Sequence, residues 1–206
     1  KKVRKSGTSS DKKRSQRIQC HFVPSTHWDR EWRVSFQKTR YRLIQMMDML
    51  LDIFEKEPNY ISYLLDSQTS PILDYLELSP EKEELLKKYI KEKRLHVGQW
   101  YTLPDEFNVG GESLIRNLLL GHKIARRFGR VSKTGYSPFS WGQISQMPQI
   151  YHGFGINFET FYRGINKLVA PRSEIFWEGP DGSRILVSRL GVGARANIFY
   201  TIQKPV

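Results

Sequence analysis

One short segment near the start of the sequence pairs an imidazole with a carboxylate. Pro24-Ser-Thr-His-Trp-Asp-Arg-Glu-Trp32 places His27 and Asp29 two residues apart. Side chains two residues apart in an extended backbone point to the same side, and an imidazole with a carboxylate makes half of a site for Zn²⁺ or another divalent metal. A hydrogen-bonded His–Asp pair has the same spacing, so this segment alone predicts a metal site only weakly.

Three later segments carry acidic, basic and aromatic side chains directly after predicted strands. They are Gly98-Gln-Trp-Tyr-Thr-Leu-Pro-Asp-Glu106, Gly135-Tyr-Ser-Pro-Phe-Ser-Trp-Gly-Gln143 and Phe161-Tyr-Arg-Gly164. In parallel α/β folds, ligands bind at the carboxyl ends of the strands. We therefore expect these segments to surround the same site as His27 and Asp29.

The elements that must position these side chains alternate between strand and helix. Apolar side chains at three- and four-residue steps predict a long helix over residues 35–56. Similar patterns predict helices over residues 70–76, 79–92, 112–128 and 145–152, strands over residues 18–24, 60–65, 95–101, 132–136 and 157–162, and a hairpin formed by residues 174–178 and 185–188. This order predicts parallel βα units, hence an α/β layer or barrel.

The net charge of +12 is concentrated at the amino-terminal end of the sequence. Residues 1–17 hold eight basic side chains and one acidic side chain, which predicts a basic disordered tail. Such a tail can also touch phosphates or anionic lipid, so a nucleic-acid-binding protein stays open as the weakest alternative. The ordinary 39% hydrophobic content of the chain predicts a globular domain.

The sequence carries no pattern typical of a membrane or secreted protein. No run approaches about 18 consecutive apolar residues, so we expect no membrane span. No apolar segment follows the basic tail as in a secretory signal, and the single cysteine, Cys20, fits a reducing compartment. We therefore expect a cytoplasmic protein whose partners include neither membrane nor nucleic acid.

Four segments together resemble the amino-terminal domain of glycoside hydrolase family 38, in the same order and at similar spacing. They are His-Trp-Asp-Arg-Glu-Trp at 27–32, Trp-Tyr-Thr-Leu-Pro-Asp-Glu at 100–106, Gly-Glu-Ser-Leu-Ile-Arg-Asn-Leu-Leu-Leu-Gly-His at 111–122 and Ser-Gln-Met-Pro-Gln-Ile at 145–150. The chain is most similar to the bacterial α-mannosidases and mannosylglycerate hydrolases of that family. The resemblance covers about residues 18–190, and the combination of segments is highly specific.

The resemblance implies the front portion of a seven-stranded β/α barrel, with residues 18–206 forming the amino-terminal part of the catalytic domain. It implies a metal-dependent retaining glycosidase, usually with Zn²⁺, that cleaves α-mannosidic bonds in oligosaccharides or mannosyl conjugates. His27 and Asp29 match metal ligands of the family. Four residues match positions that contact the sugar or line its pocket: Trp32, Asp105, Trp141 and Arg163. The family's remaining ligand histidine and its usual acid/base lie beyond Val206.

The resemblance fails at the position of the family's nucleophile. The family commonly has Pro-Asp-x-Phe-Gly-His, whose aspartate is nucleophile and metal ligand, whereas this chain has Pro138-Phe-Ser-Trp-Gly-Gln143. Phe139 can neither attack an anomeric carbon nor bind Zn²⁺, and Ser140 is a poor substitute because an unassisted hydroxyl is a weak nucleophile. The catalytic residues therefore stay unassigned. Either a carboxylate elsewhere rebuilds the site, or the protein is a non-catalytic carbohydrate-binding homologue.

Other interpretations of these residues stay open at this point. Trp32 and Trp141 can be core residues, Asp105 a loop cap and Arg163 the partner of a neighbouring acid. A metal-dependent polysaccharide deacetylase also places His and Asp at strand ends. The long segments that resemble the mannosidase pattern make this reading weaker.

Overall fold

A computed structural model of the chain describes residues 22–138 and 140–190. Phe139, the predicted tail at 1–17 and most of the predicted first strand lie outside the described residues. The described helices are α1 (Phe36–Lys56), α2 (Ser70–Leu76), α3 (Glu83–Lys91), α4 (Gly111–Arg127) and α5 (Met147–Gly153), with a 3₁₀ turn at Pro80–Lys82. The described strands are β1 (Tyr63–Leu64), β2 (Leu95–His96), β3 (Gly135–Tyr136), β4 (Phe158–Phe161), β5 (Glu174–Glu178) and β6 (Arg184–Arg189).

The strands are mainly parallel, as the alternation with helices predicts. β1 pairs with β2, and β3, β4 and β6 pair side by side, all in parallel, while β5 closes an antiparallel hairpin with β6. Single bridges join Ser25 to Leu64 and Gln68 to Trp100. The fold is therefore a mixed α/β domain, and within the described residues its strands do not close into a barrel.

Two apolar clusters pack the helices against the two sheets, one of β1 and β2 and the other of β3 to β6. The first packs the buried stripe of α1, including Leu43, Met47 and Phe54, against α3 and β2. The second is built around Trp100, Tyr151 and Phe161. The Trp100 indole N–H donates to the Tyr136 carbonyl at 3.1 Å, which links the segment after β2 to β3. Among the described helices, none combines the length and apolarity needed to cross a membrane.

The helix predictions are confirmed to within two residues at 35–56, 70–76, 112–128 and 145–152. The helix predicted at 79–92 instead begins as the 3₁₀ turn before α3. The hairpin at 174–178 and 185–188 and the strand at 157–162 are also confirmed.

Three of the predicted strands are too long, and the first lies mostly outside the described residues. Of residues 18–24, the described part (22–24) is not a strand, and the first bridge among the described residues is at Ser25. The predicted strands at 60–65, 95–101 and 132–136 shrink to β1, β2 and β3. Left-handed backbone at Asp66 (φ 42°), Ser67 (φ 52°) and Gly98 (φ 57°) turns the chain out of the extended conformation after β1 and β2.

Helix α4 fixes the loop that follows β2. A Cβ at Gly121 would lie 2.2 Å from the Gln99 carbonyl oxygen, so only glycine allows this approach of helix and strand end. One turn earlier, the Asn117 side chain accepts hydrogen bonds from the Tyr101 and Thr102 amides and donates to the Thr102 carbonyl. Helix α4 thus positions the segment that leads to Asp105.

Candidate functional site

His27 and Asp29 meet at the end of the segment that pairs with β1. The distance from His27 Nε2 to Asp29 Oδ1 is 3.1 Å, and the two side chains are 27% and 40% exposed. The other ring nitrogen, Nδ1, lies 3.1 Å from Oδ2 of the fully buried Asp66. The imidazole is therefore held between two carboxylates, one facing solvent and one in the interior.

A second buried carboxylate, that of Asp74, also anchors the loop that carries His27 and Asp29. Arg30 donates from Nε and Nη2 to both carboxylate oxygens of Asp74, at 2.7 and 2.8 Å. This bidentate hydrogen bonding raises the pKa of Arg30 above its ordinary value. Because Asp74 lies on α2 and Asp66 follows β1, the loop that carries His27 and Asp29 is fastened to two different elements.

Gln68 connects this loop to the next candidate segment. Its Nε2 donates to the Trp28 carbonyl at 3.0 Å and to Asp66 Oδ2 at 2.9 Å. Its Oε1 accepts from the Thr102 hydroxyl and the Leu103 amide, both at 3.0 Å. One buried amide side chain thus holds the His27 loop and the loop before Asp105 in a fixed relation.

Asp105 and Trp141 line one open pocket of about 440 Å³, together with Phe107, Asn108 and Gly142. Asp105 Oδ2 accepts from the Asn108 side-chain amide at 2.9 Å. Its other oxygen, Oδ1, is buried and has no hydrogen-bond partner among the described residues. Asp105 therefore lines the pocket, with one carboxylate oxygen bound to Asn108 and the other enclosed.

Trp32 and Trp141 do not belong to the core, because they are 69% and 76% exposed. The Arg163 guanidinium lies over the Trp141 ring, 4.2 Å from its centroid, so the structure brings these two candidates together. Trp32 instead stacks with its neighbour Arg33 at 4.5 Å. The expectation that all four candidates contact a sugar stays a prediction.

Glu106 is hydrogen-bonded to residues on both sides of position 139, although Phe139 itself lies outside the described residues. Glu106 Oε1 and Oε2 accept hydrogen bonds from the Ser137 hydroxyl at 2.8 Å and the Ile144 amide at 2.9 Å. The Glu106 amide donates to Ser140 Oγ at 3.2 Å. Ser140 is therefore buried and engaged with the backbone, which does not suit it to replace a nucleophile.

A second acid, Glu159 on β4, shares the Ser137 hydroxyl with Glu106. Ser137 Oγ lies 2.8 Å from Glu106 and 2.9 Å from Glu159, yet a hydroxyl has only one proton to donate. One carboxyl must therefore contribute a proton of its own. Burial raises the pKa of Glu106 to about 7 and the pKa of Glu159 well above its ordinary value. Tyr151 also donates to Glu159, at 3.3 Å.

Sequence reasoning missed the buried residues that support the site, above all Asp66, Gln68, Glu106 and Glu159. Asp66 comes directly after a predicted strand, so the rule that singled out His27 and Asp105 applies to it as well. Glu106 lies in a segment singled out after a predicted strand but was given no role, and Glu159 gave no comparable signal, because a glutamate is expected at the surface unless it is paired. In the described part of the chain, no three His, Cys, Asp or Glu side chains converge in a group that could hold a metal.

Comparison with known proteins identifies a family for most of the chain. The model of the glycosyl hydrolases family 38 N-terminal domain matches residues 17–196. A putative mannosylglycerate hydrolase of Halalkalibacterium halodurans is 42% identical over 179 residues, which are 81% of this chain and 20% of that protein. Alpha-mannosidase 2C1 of Homo sapiens is 29% identical over 175 residues, 81% of this chain and 16% of that protein.

The fold agrees as well. An alpha-mannosidase from Enterococcus faecalis V583 superposes with a TM-score of 0.77 at 36% identity, covering 82% of this chain and 19% of that one. The chain thus spans about a fifth of the length of the relatives it matches. Because the family model matches most of its length, the chain belongs to glycoside hydrolase family 38 as a counterpart of the amino-terminal domain.

Proposed function

We propose that the whole protein hydrolyses α-mannosidic bonds as a metal-dependent retaining glycosidase. The observation that carries the proposal is the convergence of His27 Nε2 and Asp29 Oδ1 at 3.1 Å, in a loop that buried carboxylates fasten on two sides. Its relatives bear the names of a mannosylglycerate hydrolase and of α-mannosidases. The proposed substrates are accordingly mannosyl conjugates or α-linked mannose oligosaccharides.

The donor set of His27 and Asp29 fits a divalent metal such as Zn²⁺. An imidazole nitrogen and a carboxylate oxygen 3.1 Å apart are compatible with two ligands of one ion, whose bonds are each about 2 Å long. Both side chains are partly exposed, so an ion can reach them. When bound, the metal would supply Lewis acidity and a template for sugar hydroxyls. Catalytic zinc sites usually have three protein ligands, so the proposal requires at least one more outside this pair.

The sugar is proposed to lie against the aromatic wall beside the metal. Trp141, oriented by Arg163, and Trp32 offer exposed indole faces, and Asp105 lines the pocket beside Trp141. We also infer that the two described sheets are parts of a seven-stranded β/α barrel, with residues 18–206 as the front of the catalytic domain. A retaining mechanism requires two carboxyl groups about 5–5.5 Å apart. Since Phe139 supplies neither, the nucleophile must be another carboxylate.

The test is hydrolysis of an aryl α-mannoside and of mannosylglycerate by the whole protein. We expect turnover that EDTA abolishes and Zn²⁺ restores, and loss of that turnover in His27→Ala. A matched control is His152→Ala, because His152 is an exposed histidine on α5. A metal-loaded protein that cleaves no α-mannoside would refute the proposal.

A second candidate function is carbohydrate binding without catalysis, and Phe139 is the observation that favours it. The open pocket with its exposed Trp141 does not depend on a nucleophile to hold a sugar. This candidate predicts calorimetric binding of mannose or mannan with no turnover, and gain of some activity in Phe139→Asp. Ordinary turnover by the unsubstituted protein would exclude it.

A further inference from the structure

Asp66 is the most completely enclosed acidic residue around the candidate metal pair. Its side chain is fully buried, and one oxygen, Oδ2, lies within hydrogen-bond distance of three nitrogen atoms. These are the Trp28 amide at 2.8 Å, Gln68 Nε2 at 2.9 Å and His27 Nδ1 at 3.1 Å. The first two contacts hold Trp28, which follows His27 in the chain, and Gln68, and the third holds the His27 imidazole itself.

The contact with Asp66 selects one form of the His27 ring. A carboxylate accepts hydrogen bonds and donates none, so His27 Nδ1 makes this contact as an N–H donor. With Nδ1–H on Asp66, a metal ion bound between Nε2 and Asp29 Oδ1 would take the lone pair of Nε2; without a metal, Nε2 lies 3.1 Å from that carboxylate oxygen, so Asp29 competes with Asp66 for the ring proton. Metal-binding histidines commonly donate their second ring N–H to a carboxylate, which fixes the tautomer and the ring orientation.

The backbone at Asp66 indicates that this placement is maintained at a cost. Asp66 and Ser67 have φ angles of 42° and 52°, in the left-handed region that residues other than glycine adopt only uncommonly. Hydrogen bonds hold the strained turn: the Trp100 amide donates to the Ser67 carbonyl at 3.1 Å, and the Gln68 amide donates to the Leu65 carbonyl at 3.0 Å. Aspartate and asparagine tolerate this conformation better than most residues, so a turn alone would accept either.

We propose that Asp66 is a positioning residue, which holds His27 in the Nδ1–H tautomer and aims Nε2 at a divalent metal shared with Asp29. The inference rests on the proposed metal-dependent function and adds a residue to it. Gln68 extends the same role, because it donates to Asp66 and also fixes the loop that leads to Asp105. The orientation of the metal ligand and the position of the sugar pocket thus depend on one buried network.

The sharpest variant is Asp66→Asn, which preserves size and tolerance of the left-handed turn. An amide can present an N–H to His27 Nδ1, which would move the ring proton to Nε2 and block the metal. We expect Zn²⁺ affinity 10- to 100-fold weaker than that of the unsubstituted protein, as for other partners of metal-binding histidines. Asp181→Asn is the control, because it makes the same change in an aspartate whose hydrogen bonds to Ser183 lie in the turn between β5 and β6. We expect its Zn²⁺ affinity to change by less than about threefold, since it leaves His27 and the loop that carries it intact.

The experiment uses the whole protein and two readouts that do not depend on activity. Zn²⁺ affinity is measured by competition with a chromophoric chelator for the unsubstituted protein, His27→Ala, Asp66→Asn and Asp181→Asn. The ring nitrogen of His27 that keeps its proton is measured in the Zn²⁺-loaded protein by ¹⁵N NMR, which tests the proposal without any substitution.

An Nδ1–H tautomer with selective loss of affinity in Asp66→Asn would support the proposal. Equal affinities of Asp66→Asn and the unsubstituted protein, or an Nε2–H tautomer in the latter, would overturn it while the metal site stands. If His27→Ala leaves Zn²⁺ binding unchanged, the metal site itself is wrong and the proposed function fails with it.

Discussion

The Arg163 guanidinium restrains the orientation of the exposed Trp141 ring. The guanidinium lies 4.2 Å from the centroid of an indole that is 76% exposed. A cation over one face restrains the ring and leaves the other face open to a ligand. This geometry gives Trp141 a more definite role than exposure alone.

We predict that Trp141→Ala weakens binding of methyl α-mannoside about tenfold, equivalent to about 1.4 kcal/mol. The reason is the loss of the apolar face against which a pyranose ring can pack. Isothermal titration calorimetry of the whole protein measures this change. Tyr41→Ala serves as control, because Tyr41 is a similarly exposed aromatic residue on α1. Equal affinities of Trp141→Ala and the unsubstituted protein would rule out the indole as a sugar contact.

Among single residues, the sequence predicted the partly exposed candidate side chains better than the buried residues that hold them in place. The spacing of His27 and Asp29 was sufficient to expect two side chains facing one point, and they meet at 3.1 Å. Asp66 is 39 residues away from His27 along the chain, and only the parallel pairing near Ser25 and Leu64 brings them together. Such a contact depends on the tertiary register, which local pattern does not encode.

Among the helices, α4 combines two features that hold the loop after β2. Gly121 allows backbone contact with Gln99, and Asn117 binds the backbone of Tyr101 and Thr102. The spacing of four residues places both on one face of the helix. This explains physically why a glycine interrupts the apolar run of α4.

Gly121→Ala is predicted to lower the free energy of unfolding by about 1–3 kcal/mol, the usual cost of forcing a methyl group into a packed interior. The added Cβ would lie 2.2 Å from the Gln99 carbonyl oxygen, and a backbone atom cannot rotate away as a side chain can. Urea denaturation followed by tryptophan fluorescence measures the change. Gly111→Ala at the start of the same helix meets nothing within 4 Å and should be neutral or stabilising. A similar effect of both substitutions would contradict this account.

The hydrogen-bonded Glu106 beside position 139 predicts a dependence of stability on pH. Burial raises the pKa of Glu106 from 4.5 to about 7, so the folded protein binds a proton that the unfolded chain releases. The contribution of protonated Glu106 to the free energy of unfolding is fully present below about pH 4.5. It is lost as the pH rises towards 7 and above. After burial, the hydrogen bonds from Ile144 and Ser137 lower the pKa of Glu106 and the charge of Asp105 raises it. The pKa of the neighbouring Glu159 is raised by burial and by Glu106 and lowered by the hydrogen bonds from Ser137 and Tyr151.

We therefore expect Glu106→Gln to lose less stability than the unsubstituted protein between pH 5 and pH 8, by an amount on the order of 2 kcal/mol. Glutamine can still accept from the Ile144 amide and can donate to Ser137, as the protonated acid does. The free energy of unfolding at several pH values measures the difference. Glu55→Gln, on the exposed face of α1, should leave the profile unchanged. Parallel profiles for all three proteins would show that Glu106 does not carry the proton.

Helices and strands were predicted well where their apolar pattern extends over many residues, and less well where it covers only a few. The helix at 35–56 has a sustained apolar stripe, and α1 begins within one residue of the prediction. The predicted strands at 60–65 and 95–101 ran too far because apolar residues continue past the point where the backbone turns. Asp66 and Gly98 mark those points, but a left-handed aspartate has no reliable sequence signature.

For the molecule as a whole, family membership and the residue type disagree at one position, 139. The chain belongs to glycoside hydrolase family 38, and the proposed metal ligands His27 and Asp29 meet at 3.1 Å. Phe139 nevertheless stands where the resemblance to the family implies an aspartate that is nucleophile and metal ligand. The proposed metal binding can therefore be tested separately from the proposed sugar cleavage.

Metal binding should appear as a change in the stability of the whole protein. A ligand that binds only the folded state stabilises it by an amount set by its concentration relative to its Kd, about 2.7 kcal/mol at 100 times the Kd. We expect Zn²⁺ to raise the Tm of the unsubstituted protein and EDTA to reverse the shift, as measured by differential scanning calorimetry. His27→Ala should abolish the shift, because the imidazole is one of the two ligand side chains, whereas His152→Ala should keep it. Phe139→Asp should enlarge the shift if that position lies at the metal, since a third ligand lowers the Kd. A Zn²⁺-dependent shift that survives in His27→Ala would place the ion elsewhere in the protein.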